Sequence, residues 1–211
     1  MAKQLPEQPE QKQIFIVDDH PVFREGLVVL VKREADLAVC GEADTAPKAL
    51  TAIERLNPDL VLADIGLPGK SGLELIKDVR ALSPDLAVLA ISMHDETLYA
   101  ERVLRAGGRG YVMKQEGPEK ILAAVRHVLN GQIALSAKMS ARILNVFSGR
   151  RDKTDSPISG LTDREFEIIQ LIGRGLDSHD INPMCGYFVI VSFKRSAKAN
   201  TFFVAQLIIT S

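Results

Sequence analysis

Between Ile14 and about Asn130, short uninterrupted apolar runs alternate with longer stretches whose apolar residues recur every three or four positions. The short runs cover residues 14–17, 38–43, 60–63, 87–92 and 110–113 and are rich in Val, Ile, Leu and Ala. Such near-continuous runs are the pattern of strands covered on both faces, as in a parallel sheet. The stretches between them read as helices with one apolar face. Phe23, Leu27, Leu30 and Val31 fall at i, i+4, i+7 and i+8, and Ile121, Val125, Val128 and Leu129 repeat that spacing. Ser71 and Glu74 have the spacing of a capping box, which starts a helix after the third strand. Five strand–helix units predict an α/β domain with a doubly wound, five-stranded parallel sheet, whose function gathers at the carboxyl ends of the strands.

Beyond that domain the pattern changes twice. Met139, Ile143, Val146 and Phe147 share a face and predict a helix over 136–147. SGRRDKTDSPISG, residues 148–160, is small, charged and broken by Pro and Gly, as a linker is. Leu161 then opens a second unit. Thr162 and Glu165 form a capping box, with Leu161 and Phe166 at the two positions of a hydrophobic staple. Ser178 can cap a second helix through His179, Asp180 and Ile181, but Asn182-Pro183 follows at once. Proline there removes an amide donor and clashes with the preceding turn at ~3 kcal/mol or more. It also pushes Asn182 out of the α region. The helix is therefore expected to stop after about one turn. GYFVIVSF and TFFVAQLIIT, farther on, are β-branched and aromatic rather than helix-periodic. After Asp180 the chain has no acidic residue, yet it holds four of the eight Phe residues, a composition prone to aggregation.

Composition narrows the classes. A chain of 211 residues allows one to two domains. Its apolar and charged fractions, 46% and 25%, are those of an ordinary globular protein. A net charge of −1 argues against a uniformly basic nucleic-acid coat. Cys40 and Cys185 lie far apart without metal-ligand spacing, so a disulfide framework is not expected and a reducing cytoplasmic setting is. The opening MAKQLPEQPEQKQ has no apolar core, and residues 1–12 read as a disordered lead-in rather than a signal peptide. No apolar run approaches the roughly 20 residues of a membrane span.

The chemistry lies at the strand ends. Asp18 and Asp19 end the first strand, Asp64 the third, Ser92 the fourth and Lys114 the fifth, so all share one edge of the sheet. At ~4 Å and an effective dielectric of about 20, each like-charged carboxylate pair costs on the order of 4 kcal/mol. Such a cluster calls for a cation, and an all-oxygen set suits Mg2+. Lys114 can neutralise part of the charge, and Ser92 offers a hydroxyl to an incoming anionic oxygen. A carboxylate beside a metal can also act as a nucleophile toward phosphoryl groups.

In this order and spacing, VDDH, LADIGLPGKSG, AISMH and GYVMK resemble a bacterial response-regulator receiver domain over about residues 12–130. The resemblance implies a receiver at 13–131 with the flavodoxin-like strand order 2-1-3-4-5. It implies that Asp64 accepts phosphate from a sensor histidine kinase. Asp19 and Asp64 match direct Mg2+ ligands, Asp18 an acidic partner acting through water, and the Gly66 carbonyl a backbone ligand. Lys114 matches the lysine that contacts the phosphoryl group, Ser92 the switch hydroxyl, and Tyr111 the aromatic whose rotamer follows it. Residues 132–160 become helix and linker, and LTDREFEIIQLIGRGLDSHDI, residues 161–181, resembles the start of the LuxR-type helix-turn-helix of the NarL/FixJ subfamily. Gln115 after Lys114, in place of Pro, is ordinary there. The match stops at Ile181, leaving 182–211 as a divergent tail, the output domain incomplete and its DNA-contacting residues unassigned. The implied function is a phosphorelay regulator that controls transcription by binding DNA, with dimerisation on phosphorylation.

Two rival functions follow from the same residues. A receiver with a defunct output domain would signal by protein contact alone. A Mg2+-dependent hydrolase with an Asp nucleophile usually needs a second Asp two positions later, where this chain has Gly66, so a conventional enzyme is not expected. His20 and His94 near the acidic edge read as solvated loop residues, and His127 as a solvent-facing helix residue. Cys40 reads as a buried strand residue, the AGGRG run at 106–110 as a turn, and Arg150 and Arg151 as a solvated pair.

Overall fold

The computed structural model describes residues 11–147, 161–173, 188–195 and 202–210. In chain order the first part comprises β1 (Lys12–Val17), α1 (Pro21–Lys32), β2 (Leu37–Ala43), α2 (Ala46–Leu56), β3 (Leu60–Asp64), α3 (Gly72–Leu82), β4 (Ala87–Ser92), α4 (Glu96–Ala106), β5 (Gly110–Met113), α5 (Pro118–Leu129) and α6 (Ala137–Phe147). The five strands pair in parallel, as their apolar runs predict, in the order β2-β1-β3-β4-β5 that the resemblance implies.

Period-2 alternation splits each strand between two cores. Ile14, Ile16, Leu60, Leu62, Leu89 and Ile91 turn to a cluster completed by Leu27 and Val31 of α1 and by Ile121, Val125 and Val128 of α5. The intervening Phe15, Val61, Ala63 and Ala90 are equally buried, as are Ile53, Leu73, Ile76, Tyr99 and Val103 on α2, α3 and α4. Double coverage explains why these strands read as continuous apolar runs.

Helix starts are set locally. Ser71 Oγ accepts from the Glu74 amide at 3.4 Å while Glu74 Oε2 accepts from the Ser71 amide at 3.0 Å, completing the expected capping box at α3. Asp95 caps α4 by accepting from the Thr97 amide at 2.7 Å, and Gly107 ends it at φ 104°. Gly72 has a stricter reason. A Cβ there would lie 2.0 Å from the Asp64 carbonyl oxygen, so only glycine lets α3 start against the end of β3.

Two local readings are corrected. Lys12, assigned to the lead-in on polarity, is the first residue of β1, because its amide donates to the Asp36 carbonyl at 2.9 Å and its ammonium pairs with Asp59. Cys40 is half-buried rather than buried, on edge strand β2, with its Sγ 3.5 Å from the Ile14 carbonyl oxygen.

The chain after α5 stays with this unit, which extends to Gly149. Ala134 forms a parallel bridge with Gly110. The Tyr111 amide donates to the Ala134 carbonyl at 2.8 Å, and the Ala134 amide donates to the Arg109 carbonyl at 3.0 Å. Ser136 caps α6, accepting from the Met139 amide at 3.1 Å, and α6 packs on α4. The linker at 148–160, with Arg150 and Arg151, lies outside the described residues.

The second unit begins at Arg150. Its described parts are α7 (Asp163–Gly173), β6 (Phe188–Arg195) and β7 (Phe202–Thr210). Thr162 and Glu165 make the expected reciprocal cap, with Glu165 Oε2 accepting from the Thr162 amide at 2.8 Å and Thr162 Oγ1 from the Glu165 amide at 3.3 Å. Phe166 and Ile168 are buried. The short helix expected at Ser178 and its stop at Pro183 lie outside the described residues. β6 and β7 pair antiparallel with Phe188 opposite Thr210 and Arg195 opposite Phe202, so the β-branched, aromatic tail forms a hairpin.

Candidate functional site

At the carboxyl edge of the sheet, Asp64 closes β3, Asp18 follows β1, Ser92 closes β4 and Lys114 follows β5. The Asp18 amide still donates to the Ala43 carbonyl at 3.1 Å, which keeps its side chain over the strand ends. Lys114 Nζ lies 2.6 Å from Asp18 Oδ2 and 2.7 Å from Asp64 Oδ2, and all three side chains are almost entirely buried. The other Asp64 oxygen accepts from the Gly66 amide at 3.1 Å. A Cβ on Gly66 would sit 3.9 Å from both carboxylate oxygens, an ordinary contact, so the glycine lies directly against the Asp64 carboxylate. The Phe23 ring of α1 lies under Lys114, with Nζ 4.6 Å from its centroid.

Asp64 has its pKa raised above the ordinary carboxylate value. Burial is the largest cause, Asp18 adds to it, and Lys114 and the Gly66 amide oppose it. Around one lysine stand three carboxylates. Asp18 Oδ2 pairs with the Lys114 ammonium at 2.6 Å and Asp19 Oδ1 lies 2.8 Å from His20 Nδ1. Uncompensated negative charge with spare oxygen lone pairs suits a hard divalent cation. Asp18, Asp19, His20 and Asp64 offer donor atoms within 4.8 Å of one another.

Ser92 and Tyr111 are joined through His94 rather than directly to the acids. Ser92 is buried and its Oγ accepts from the His94 amide at 3.2 Å. Tyr111, also buried, donates its hydroxyl to the His94 carbonyl at 2.8 Å, and burial raises its pKa. The His94 ring stacks on Tyr99 with centroids 5.0 Å apart. His127 is exposed, and Gly107 and Gly110 frame the turn expected at 106–110.

Residues 14–126 match the response regulator receiver domain family model. That match spans more than half of the chain, over the very strands that assemble the acidic edge. The chain is a response regulator. It belongs to the two-component regulators that control transcription. Over 169 residues the regulator is 33% identical to the nitrate/nitrite response regulator NarL of Escherichia coli strain K12, covering 79% of this chain and 77% of NarL. A two-component response regulator of the LuxR family from Aurantimonas superposes with a TM-score of 0.61 at 32% identity, covering 66% of this chain and 99% of that one. The response regulator ChrA of a heme-sensing two-component system superposes with a TM-score of 0.52 at 26% identity, covering 82% of this chain and 80% of that one.

The regulator's site also contains residues outside the strand-end set. His20 reads as a solvated loop residue and is 63% exposed, and its Nδ1 lies 2.8 Å from Asp19 Oδ1 and 3.3 Å from Asp18 Oδ1. Its adjacency to the acidic pair was the available signal. Phe23 read only as a core residue. Glu96, buried at the start of α4, accepts from the Ser136 amide at 2.8 Å, a contact across 40 residues that no local pattern announces.

Proposed function

We propose that Asp64 is the phosphoacceptor of this response regulator and that a sensor histidine kinase is its donor. The single observation that carries the reading is the Asp64 carboxylate itself. It is buried and held between Lys114 and the Gly66 amide. The deprotonated carboxylate attacks the phosphorus of a phosphohistidine, the P–N bond breaks, and its electron pair leaves on the imidazole. An acyl phosphate forms on Asp64. Lys114 keeps its charge within reach of Asp18 and of the phosphoryl oxygens that arrive at Asp64. Asp19, Asp64 and the Gly66 carbonyl would hold Mg2+, with Asp18 acting through water. The ion supplies charge neutralisation between carboxylates and phosphoryl oxygens.

A phosphoryl group adds ~−1.5 to −2 charge at the edge of the sheet. Ser92 and Lys114 are the donors that charge attracts. Drawing the Ser92 hydroxyl away from the His94 amide loosens the main chain that also holds Tyr111, just before α4. The change then reaches the surface formed by α4, β5 and α5, on which dimerisation and output depend. A groove of about 550 Å³ between α1 and α5, lined by His20, Phe23, Leu27, Lys114, Pro118 and Ile121, borders the same site and offers an approach for the kinase. Among the described residues no helix is long and apolar enough to cross a membrane, in keeping with a cytoplasmic regulator. Phosphate acceptance, rather than turnover of a substrate, is the role assigned to Asp64.

Control of transcription in this family suggests a DNA-binding output, beginning at the capped α7. A second reading, action by protein contact alone, is favoured by one observation: residues 188–195 and 202–210 are strands. The test is incubation with acetyl phosphate and Mg2+, followed by intact-mass measurement. A single phosphate that Asp64→Asn cannot accept is expected, and undiminished labelling of that variant overturns the assignment. A gel shift with promoter DNA, with and without acetyl phosphate, separates the two outputs.

A further inference from the structure

We propose that His20 is an additional protein ligand at the cation site and tunes it toward Mn2+ over Mg2+. The inference rests on the acidic-edge reading above and extends it to a residue whose side chain that reading does not use. Donor atoms that sit next to each other around an octahedral ion with bonds of 2.0–2.1 Å are separated by ~3 Å. His20 Nδ1 lies 2.8 Å from Asp19 Oδ1, 3.3 Å from Asp18 Oδ1 and 3.8 Å from Asp64 Oδ2. The imidazole nitrogen therefore already occupies a neighbouring-donor position relative to the carboxylates. Asp18 is fully buried, and together with Asp19 and Asp64 it faces the Lys114 ammonium, three carboxylates against one lysine, which leaves the cluster short of positive charge independently of the histidine.

Local structure holds the ring there. The His20 amide donates to Asp18 Oδ1 at 2.9 Å, and Pro21 fixes the chain direction at the first position of α1. The side chain remains 63% exposed, so the ring can turn its Nδ1 lone pair to an ion while Nε2–H stays in water. Mg2+ favours oxygen donors and retains its waters, whereas Mn2+, which also takes carboxylate and water, is less tightly hydrated and accepts an imidazole nitrogen more readily than Mg2+ does. A neutral nitrogen donor added to this oxygen set raises affinity for Mn2+ more than for Mg2+.

The test uses the full chain loaded with Mn2+ at a fixed, mildly alkaline pH. Electron spin-echo modulation of bound Mn2+ reads a coordinated 14N nucleus directly, and calorimetry gives the Mn2+ and Mg2+ affinities. Wild type is expected to show 14N modulation that His20→Ala abolishes. That variant should also lose about threefold or more of the preference for Mn2+, with Mg2+ affinity changed by less than about twofold. The imidazole makes no side-chain cap at α1, so the variant keeps the fold. Absent 14N modulation, or an unchanged preference in His20→Ala, overturns the proposal. Asp19→Ala distinguishes the two levels. If it loses Mn2+ while wild type shows no 14N signal, only the role of His20 fails. If it binds Mn2+ as wild type does, the acidic-edge site fails as well, and the proposal with it.

Discussion

Asp64 accepts from Lys114 on one oxygen and from the Gly66 amide on the other, and burial still holds its pKa above the ordinary aspartate range. A carboxyl group with a raised folded-state pKa favours folding below its unfolded value. That contribution is lost as pH rises through the folded value. At neutral pH Asp64 therefore works against stability. Asp64→Asn removes the repulsion from Asp18 while Lys114 keeps its pairing with Asp18. The variant should be more stable by on the order of 1 kcal/mol at pH 7, a gain that disappears below pH ~4. Thermal melts at the two pH values check this, and a melt below wild type at pH 7 would show that the Lys114 pairing outweighs burial. Asp19→Ala should weaken Mg2+ binding by about tenfold or more, because it removes a charged ligand, whereas Ser92→Ala should change it little. Calorimetry decides, and equal effects would mean a wrong ligand set. Asp18, Asp64, Ser92 and Lys114 were legible because strand ends in a parallel sheet share one edge, whereas Tyr111, inside β5, was legible only through the family resemblance. The direction of the His20 ring was not, since no periodicity fixes how the side chain before a helix turns.

At the scale of elements, α6 belongs to the receiver through backbone contacts rather than through its own sequence pattern. Ala134 bridges to Gly110, and the Ser136 amide is received by buried Glu96 at the start of α4. A main-chain amide held by a carboxylate leaves no mark in hydrophobic periodicity, which is why the helix at 136–147 read as part of a separate helix and linker over 132–160. The strands, in contrast, were legible nearly to the residue, because coverage on both faces makes each one a continuous apolar run. The Glu96 contact ties the helix next to the acidic edge to the start of α6. Glu96→Ala should leave the Ser136 amide without its charged acceptor and cost about 1–3 kcal/mol. Hydrogen exchange should rise mainly at Ser136 and through α6, with phosphorylation of Asp64 retained. Exchange unchanged in α6 would show that its packing on α4, not Glu96, holds it in place.

At the scale of the whole molecule, a well-specified receiver unit is followed by a second unit whose described parts are one capped helix and one hairpin. A LuxR-type reader would need a recognition helix after α7, but residues 188–195 and 202–210 pair as strands. The register sets Val189 opposite Ile209, Ile190 opposite Ile208 and Val191 opposite Leu207, so apolar residues fall at both odd and even positions. A two-stranded hairpin alone is marginally stable, and one apolar at successive positions invites pairing with other chains. Lys194 and Arg195 are the only basic residues of β6, and β7 has none, against the 6–10 phosphate contacts of a strongly salt-dependent DNA binder. We therefore expect the full chain to bind duplex DNA weakly and without sequence preference, phosphorylated or not. Selection from a random duplex library at ~150 mM salt, near physiological ionic strength, should enrich no motif. The chain shortened to residues 1–149 should accept phosphate from acetyl phosphate at the wild-type level and stay soluble at concentrations where the full chain associates. An enriched motif that disappears when residues 182–211 are removed would show that the hairpin is part of a DNA reader and would reject the contact-only output.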